Sequence, residues 1–305
     1  MSPRPREHLA GVAPCPHGSI SPGEIARRGL GADEIIDFSA SCNPLGTDPR
    51  VLAALREAET WRYPDDEAGA LRDGLARSLG LQREWIAVGN GSVEILWHLA
   101  AAFLGPEDRA LVVGPTFGEY ARACRVVGAP VEELRAGERD GFRPDPDVVA
   151  EAIGDRCPAL AFLCNPNNPT GRLLPAGQVA RILDACRETL LVVDEAYLPF
   201  CDSPPDLRPF LSSGRLALLR SMTKDHGLAG VRLGYAIAAP DVVEWLGRVR
   251  PPWNVSALAQ AAGLAALGAW EHVERGRRVV AEAREFVAER LSALGLEVVP
   301  SAANF

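Results

Sequence analysis

Short apolar runs alternate with amphipathic segments between residues 85 and 238. The runs lack an alternation of apolar and polar positions, which is typical of strands covered on both faces, and the segments between them have helical spacing. Strands are predicted at 85–88, 110–113, 131–134, 159–164, 190–193, 216–219 and 234–238, and helices at 92–103, 118–127, 145–153 and 175–188. This order predicts an α/β protein, a three-layer αβα sandwich built on a mostly parallel sheet.

The pattern changes on both sides of this region. The first 45 residues are rich in Pro, Gly and Ser, whereas the chain after residue 240 is mostly helical. Further helices are predicted at 22–28, 49–59, 68–79, 242–249 and 254–294, and one further strand at 297–299. We expect an N-terminal arm over 1–45 that contributes to the small domain and the substrate site, a large domain over 46–245, and an incomplete small C-terminal α+β domain over 246–305.

Composition narrows the class of protein. A net charge of −8 argues against a nucleic-acid partner, and no apolar run is long enough for a membrane span. The N-terminus lacks the apolar segment of a signal peptide. The seven Cys and five His have no metal-ligand spacing, so we expect reduced thiols, no metal site and a cytoplasmic protein.

The most informative stretch is 221–235, SMTKDHGLAGVRLGY. It contains Lys224 in a chain whose basic residues are overwhelmingly Arg, and Arg232 follows eight residues later. A desolvated Lys can lose its proton and bind an aldehyde, whereas Arg offers a permanent charge to a phosphate. Pyridoxal phosphate carries both groups. Taken alone, the stretch could equally be a surface loop.

Three other polar clusters each follow a predicted strand, at 89–92, 165–171 and 194–197. The first could bind an anion at a helix start or be a plain turn, and the second could supply an amide donor or be a rigid turn. Asp194 could pair with a protonated pyridine nitrogen or cap a helix. Because open α/β sheets bind ligands beyond the carboxyl ends of their strands, the clusters together predict a pyridoxal-phosphate site.

With these motifs, residues 15–305 resemble the fold-type I pyridoxal-phosphate enzymes of the class I/II aminotransferase superfamily. The resemblance implies three catalytic residues: Lys224, which binds the cofactor aldehyde, Asp194, which pairs with the pyridine nitrogen, and Tyr197, which contacts the ring oxygen. Further cofactor contacts implied are Gly91, Ser92, Val93, Phe117, Asn168, Ser221 and Arg232. Tyr63 matches a Tyr that reaches the cofactor phosphate of the neighbouring subunit, which implies a homodimer with shared sites.

The substrate branch has two candidates. The motifs at 16–19, 37–46, 115–120 and 251–263 resemble threonine-phosphate decarboxylases of the cobalamin pathway, which is the main expectation. The motifs at 194–197 and 224–235 resemble histidinol-phosphate aminotransferases, which is the alternative. Both branches act on small phosphorylated amino compounds, and we expect substrate contacts from His17, Gly18 and Asn43.

The resemblance also implies a segment of some tens of residues after 303–305. In the family this segment completes the small domain and supplies an Arg that holds the substrate carboxylate. A third hypothesis is therefore a truncated cofactor-binding protein without turnover.

Overall fold

The computed structural model describes residues 3–16, 18, 22–31 and 34–305. Within this part of the chain, seven strands form one sheet in the order β1-β7-β6-β5-β4-β2-β3. They are β1 Ile86–Gly89, β2 Ala110–Gly114, β3 Val131–Arg135, β4 Leu160–Cys164, β5 Leu190–Asp194, β6 Leu216–Ser221 and β7 Gly234–Ala238. Strand β7 is antiparallel to both of its neighbours, and the other pairs are parallel. The mostly parallel sheet is confirmed.

The helices cover both faces of the sheet. They are α1 Pro22–Arg28, α2 Pro49–Glu57, α3 Gly69–Leu79, α4 Ser92–Phe103, α5 Glu119–Val126, α6 Pro146–Arg156, α7 Ala176–Ala185, α8 Pro240–Val249, α9 Ala257–Leu267 and α10 Trp270–Ala293. Successive strand residues point to opposite faces. In β5, Leu191 and Val193 pack with α3, α6, α7 and α9, whereas Leu190 and Val192 pack with α4, α5 and α8. These two cores form the expected three-layer αβα sandwich.

The C-terminal region differs from the sequence-based expectation in three ways. The helical stretch 254–294 is interrupted at Gly268 and Ala269, between α9 and α10. The alanines of α9 belong to the same core as β5 and β6, so this core continues beyond the domain boundary expected after residue 245. The strand predicted at 297–299 is wrong, because these residues have no described strand alongside to complete their backbone hydrogen bonds. The division into three domains stays a prediction.

The described part of the N-terminal arm lies against α5. The Nε2 atom of His8 is 3.1 Å from the carbonyl oxygen of Val126, at the end of that helix. The Sγ atom of Cys15 lies against Gly118, so closely that a Cβ atom at Gly118 would be 2.6 Å from it. The arm therefore reaches the edge of the sheet where β4, β5 and β6 end.

Candidate active site

The polar clusters that follow the strands meet at one cavity. Because β4, β5 and β6 are parallel neighbours, their last residues lie at the same edge of the sheet. A cavity of about 390 Å³ opens there. Ten residues with predicted cofactor or substrate roles line it: Gly18, Ser92, Val93, Phe117, Asn168, Asp194, Tyr197, Ser221, Lys224 and Arg232. The structure thus brings together residues that are up to 214 positions apart in the chain.

Lys224 and Arg232 belong to one hairpin. Strands β6 and β7 are antiparallel, with Ser221 paired to Gly234, and the N–H of Met222 donates a 3.1 Å hydrogen bond to the carbonyl of Leu233. The loop that joins the two strands therefore leaves β6 and returns to β7 next to these pairs. A Lys near its start and an Arg near its end therefore face the same cavity.

Two glycines allow the start of α4 to approach Arg232. Gly91 has a φ of 87°, which favours glycine, and a Cβ atom there would lie 2.6 Å from Nη2 of Arg232. A Cβ atom at Gly234 would overlap the backbone nitrogen of Ser92. A guanidinium, a Ser hydroxyl and the N-terminus of a helix are consequently gathered at one end of the cavity, which is the chemistry of a phosphate site.

Asp194 lies at the end of β5 and is buried. Its Oδ2 atom accepts a 2.7 Å hydrogen bond from the hydroxyl of Tyr120, and its Oδ1 atom accepts a 2.9 Å bond from the N–H of Ala196. Burial raises the pKa of Asp194, while the bonds from Tyr120 and Ala196 and the charge of Lys224 act in the opposite direction. A cationic partner in the cavity would favour the ionised carboxylate.

Aromatic rings line the cavity beside Lys224. The Nζ atom of Lys224 is 5.6 Å from the ring centre of Tyr197. Phe305 packs edge-to-face with the same Tyr197 ring, with ring centres 4.8 Å apart. Burial raises the pKa of Tyr197, so its hydroxyl is kept protonated as a donor. Phe117 meets Tyr120 edge-on at 5.6 Å.

The turn after β4 uses its amides in different ways. Asn165 exchanges hydrogen bonds with the backbone of Leu174, at 3.0 and 2.7 Å. The amide nitrogen of Asn167 donates to the carbonyl of Pro115 and to the hydroxyl of Thr170. These bonds hold the turn, so that Asn168 is the Asn that lines the cavity.

Of the described residues with predicted site roles, Tyr63, Asn43 and Gly91 do not line this cavity, although Gly91 lies directly beside Arg232, which does. Tyr63 is 78% exposed and stacks on Trp253, with ring centres 4.4 Å apart. Asn43 is buried outside the cavity, where its N–H donates to the carbonyl of Lys224 and its side-chain amide donates to the carbonyl of Asp225. It therefore supports the backbone of the lysine loop. His17 lies outside the described residues.

Comparison with known proteins agrees with this geometry. The profile of the family "Aminotransferase class I and II" matches residues 33–305. The chain belongs to this family.

Similar proteins include two named histidinol-phosphate aminotransferases. The one from Moorella thermoacetica is 37% identical over 99% of this chain and 79% of the relative, and the one from Anaeromyxobacter sp. is 39% identical over 98% and 82%. The structure of histidinol-phosphate aminotransferase from Sinorhizobium meliloti in complex with pyridoxal-5'-phosphate has a TM-score of 0.87 at 25% identity, covering 99% of this chain and 81% of that one. L-threonine-O-3-phosphate decarboxylase from Porphyromonas gingivalis has a TM-score of 0.79 at 28% identity, covering 88% and 80%.

This aminotransferase-family protein is a pyridoxal-phosphate-dependent enzyme, as expected from the sequence. The residues present fit the cofactor. Lys224, the only lysine of the sequence, lies in the same cavity as a buried acid and as Arg232 beside the N-terminus of α4. The buried Asp194 has only neutral hydrogen-bond donors within the described structure, and a pyridinium nitrogen would supply a positively charged donor.

Further residues line the aminotransferase cavity without having been assigned a role from the sequence. Thr223 exchanges a 2.6 Å hydrogen bond with Ser221, and Tyr120 bonds to Asp194. Glu119 is buried and accepts a 3.0 Å bond from the indole N–H of Trp97. Thr223 directly precedes Lys224 in the sequence, whereas Glu119 and Tyr120 belong to segment 115–120, in which only Phe117 has a predicted cofactor contact.

The structure carries no sign of a membrane or metal site in the region that it describes. None of its helices is both long and apolar enough to cross a bilayer. No group of three or more His, Cys, Asp or Glu side chains in residues 3–16, 18, 22–31 and 34–305 is placed to hold a metal ion.

Proposed function

We propose that this enzyme transfers the amino group of histidinol phosphate, or of a closely similar phosphorylated amine, to 2-oxoglutarate. The observation that carries the choice of substrate is the 35–39% identity to relatives named histidinol-phosphate aminotransferase. The segment 224–235, which forms the hairpin loop with Lys224 and Arg232, supports the same branch. From the sequence we placed decarboxylation first, and the relatives favour the alternative.

We propose the following roles within the cavity. Lys224 binds the cofactor aldehyde carbon, Asp194 pairs with the pyridine nitrogen, and Phe117 packs against the cofactor ring. Asn168 and Tyr197 donate to the ring oxygen, while Gly91, Ser92, Val93, Ser221 and Arg232 hold the phosphate. The shared lining of one cavity supports these assignments, and for Gly91, which does not line it, the support is its close approach to Arg232.

When bound, pyridoxal phosphate supplies an electron sink that weakens the bonds at the substrate Cα. The carboxylate of Asp194 keeps the pyridine nitrogen protonated. When the substrate amine takes the place of Lys224 at the aldehyde carbon, the released Nζ atom of Lys224 would be free to accept the Cα proton and to return it to the former aldehyde carbon. The buried hydroxyl of Tyr197 holds its proton and orients the ring oxygen.

Transamination and decarboxylation differ in the bond that breaks at Cα. Loss of the Cα proton needs a base close to Cα, and Lys224 lies in the cavity that would hold the substrate. Gly18 of the arm lines the same cavity, and we propose that it contacts the substrate. Asn43 is better placed to position Lys224 through its backbone, because its amide already bonds to the carbonyl of Asp225.

The test is a substrate comparison with purified enzyme and pyridoxal phosphate. One sample receives histidinol phosphate and 2-oxoglutarate, and another receives threonine phosphate alone. We expect glutamate to form in the first and no CO₂ in the second, and neither product with Lys224→Ala. Release of CO₂ without a keto acid would instead identify a decarboxylase, and absence of both products in wild type would support a cofactor-binding protein without turnover.

We further propose that the enzyme is a homodimer with shared sites. Tyr63 is a large aromatic residue that stands exposed on a loop and is held in place by Trp253. The side chain of Arg250 fixes this loop, since it donates to Oδ1 and Oδ2 of Asp66 at 3.1 and 3.2 Å. An exposed but firmly held aromatic pair suits a contact with a second copy of the chain.

A cytoplasmic location is the last part of the proposal. All seven cysteines are free thiols in the structure. Four of them are buried within the fold, where they pack as small apolar side chains. Free buried thiols are typical of a reducing compartment.

A further inference from the structure

The side chain of Cys164 lies among the groups that are proposed to hold the cofactor ring, and it has no assigned role. Cys164 is the last residue of β4, is buried and lines the proposed cofactor cavity. In the sheet it is paired with Asp194, the last residue of β5. In the chain it is followed by the turn that carries Asn168. The thiol is therefore close to residues proposed to meet both the pyridine nitrogen and the ring oxygen.

The thiol bonds to this turn at two points. Sγ of Cys164 donates a hydrogen bond to the carbonyl oxygen of Pro166, with the two atoms 3.2 Å apart. The same sulfur accepts a bond from the backbone N–H of Asn168, at 3.4 Å. A thiol can form both bonds because it is a weak donor and a weak acceptor. Among the described residues, Sγ of Cys164 is the only hydrogen-bond partner of the Asn168 N–H.

The other amides of the turn hold it at different positions. Asn165 bonds to the backbone of Leu174, and the side-chain nitrogen of Asn167 donates to the carbonyl of Pro115. Neither side chain bonds to the N–H of Asn168. Loss of the thiol would therefore free Asn168 while leaving the bonds on both sides of it in place.

The surroundings of Cys164 keep its thiol protonated. Burial, and next the charge of Asp194, raise the pKa of Cys164 to about 12. The hydroxyl of Tyr120, which donates to Asp194, also lies within hydrogen-bond reach of the sulfur. The S–H donor to Pro166 is consequently present throughout the neutral pH range.

We propose that Cys164 is a positioning residue, which holds Asn168 where its side-chain amide donates to the ring oxygen of pyridoxal phosphate. The inference rests on the proposed contact between Asn168 and that oxygen, and it is independent of the choice of substrate. A hydrogen bond donated to the ring oxygen favours the negatively charged form of this oxygen. It therefore lowers the pH at which the bound cofactor takes up a proton, and loss of the thiol should raise that pH.

The test is a pH titration of the absorbance of the bound cofactor. We expect the midpoint to rise by about 1 pH unit in Asn168→Ala, which loses the donor, and by about 0.5 unit in Cys164→Ala, which loosens it. Cys164→Ser should stay near wild type, because a hydroxyl can replace both bonds of the thiol. Cys186→Ala is the matched control and should leave the midpoint unchanged, since Cys186 is also buried and donates to the carbonyl of Ile182, outside the cavity.

A double variant shows whether Cys164 acts through Asn168. If it does, Cys164→Ala combined with Asn168→Ala has the same midpoint as Asn168→Ala alone. A further shift in the double variant, or a wild-type midpoint in Cys164→Ala, would overturn the role of Cys164 and leave the Asn168 contact standing. An unchanged midpoint in Asn168→Ala would overturn both. If Cys164→Ala does not fold, Cys164→Val, which fills the space without the hydrogen bonds, decides by the same criteria.

Discussion

The hydroxyl of Tyr120 donates a 2.7 Å hydrogen bond to Oδ2 of Asp194, although the two residues are 74 positions apart. Tyr120 is held by stacking on Phe162 of β4, with ring centres 5.4 Å apart. The bond favours the ionised form of a carboxylate whose pKa is raised by burial. Tyr120 therefore supports the charge that the proposed cofactor contact needs.

Replacing Tyr120 by Phe tests this support. The ring keeps its stacking on Phe162, but Asp194 loses a donor to its charged form. We expect the affinity for pyridoxal phosphate to fall roughly tenfold in a titration followed by cofactor absorbance. Tyr235→Phe removes another buried hydroxyl outside this cavity, and the prediction is refuted if the two variants bind the cofactor equally well.

Asp194→Asn should separate stability from function. The pKa of Asp194 is raised in the folded, cofactor-free protein relative to its unfolded value of 3.8. The carboxyl therefore stabilises the fold at low pH, and this contribution is lost as the pH rises through the folded pKa. At pH 8 the cofactor-free variant should have a higher Tm than wild type, and near pH 4 the difference should shrink.

The same variant should lose at least about a hundredfold in kcat with the cofactor present, because the pyridine nitrogen loses its charged partner. Thermal unfolding of the cofactor-free proteins between pH 4 and pH 8 measures the first effect, and steady-state kinetics measures the second. Asp184→Asn, at an exposed position of α7, serves as the control. A lower Tm for Asp194→Asn than for wild type at pH 8 would contradict the claim that the ionised Asp194 carboxylate destabilises the cofactor-free fold.

Gly91→Ala tests the approach of α4 to Arg232. The new Cβ atom would lie 2.6 Å from Nη2 of Arg232 and would displace the guanidinium. We expect the affinity for pyridoxal phosphate to fall roughly tenfold, because a charge-assisted bond to the phosphate is weakened, and the affinity for unphosphorylated pyridoxal to change little.

Gly80→Ala is a matched control for the backbone strain. Gly80 also has a positive φ, of 69°, but a Cβ atom there would have no neighbour within 4 Å. This variant should lose about 1 kcal/mol of stability and keep its affinity for pyridoxal phosphate. Equal losses of cofactor affinity in the two variants would mean that strain, and not contact with Arg232, is responsible.

Mixing two defective variants tests the shared sites. Lys224→Ala and Tyr63→Ala each damage both sites of their own homodimer, but a mixed dimer would contain one intact site. After subunit exchange we expect about a quarter of wild-type activity, since half of the dimers are mixed and each has one good site. Activity that stays at the sum of the separate variants would contradict a site shared through Tyr63.

Much of the fold and of the cavity could be predicted from the chain. Strands β4, β5 and β6 coincide with apolar runs, so the sequence shows where each strand ends. Because the strands are parallel, the polar residues that follow them lie at one edge of the sheet. The roles of Asn165 and Asn167 could not be separated from that of Asn168, because the difference lies in which backbone groups each amide meets.

Other features depend on packing between distant segments. The bond from Tyr120 to Asp194 arises because α5 lies against β4, and nothing local to either residue indicates it. Helix α9 is rich in Ala, so its sequence gives no clear apolar face and did not reveal that it completes the main core. The buried Oε1 atom of Glu195, which has no hydrogen-bond partner among the described residues, can likewise be recognised only from its surroundings.

The β6–β7 hairpin has a consequence for cofactor selection. Its loop carries both proposed anchors, Lys224 for the aldehyde and Arg232 for the phosphate. The distance between these two anchors is therefore set by the few residues of one loop. Movements of the arm or of α10 would reshape the surroundings of the substrate without changing the distance between Lys224 and Arg232. Insertions in surface loops elsewhere should be tolerated. A single residue added between 225 and 231 would instead change the distance between Lys224 and Arg232, so that it no longer matches the distance between the aldehyde and the phosphate of the cofactor.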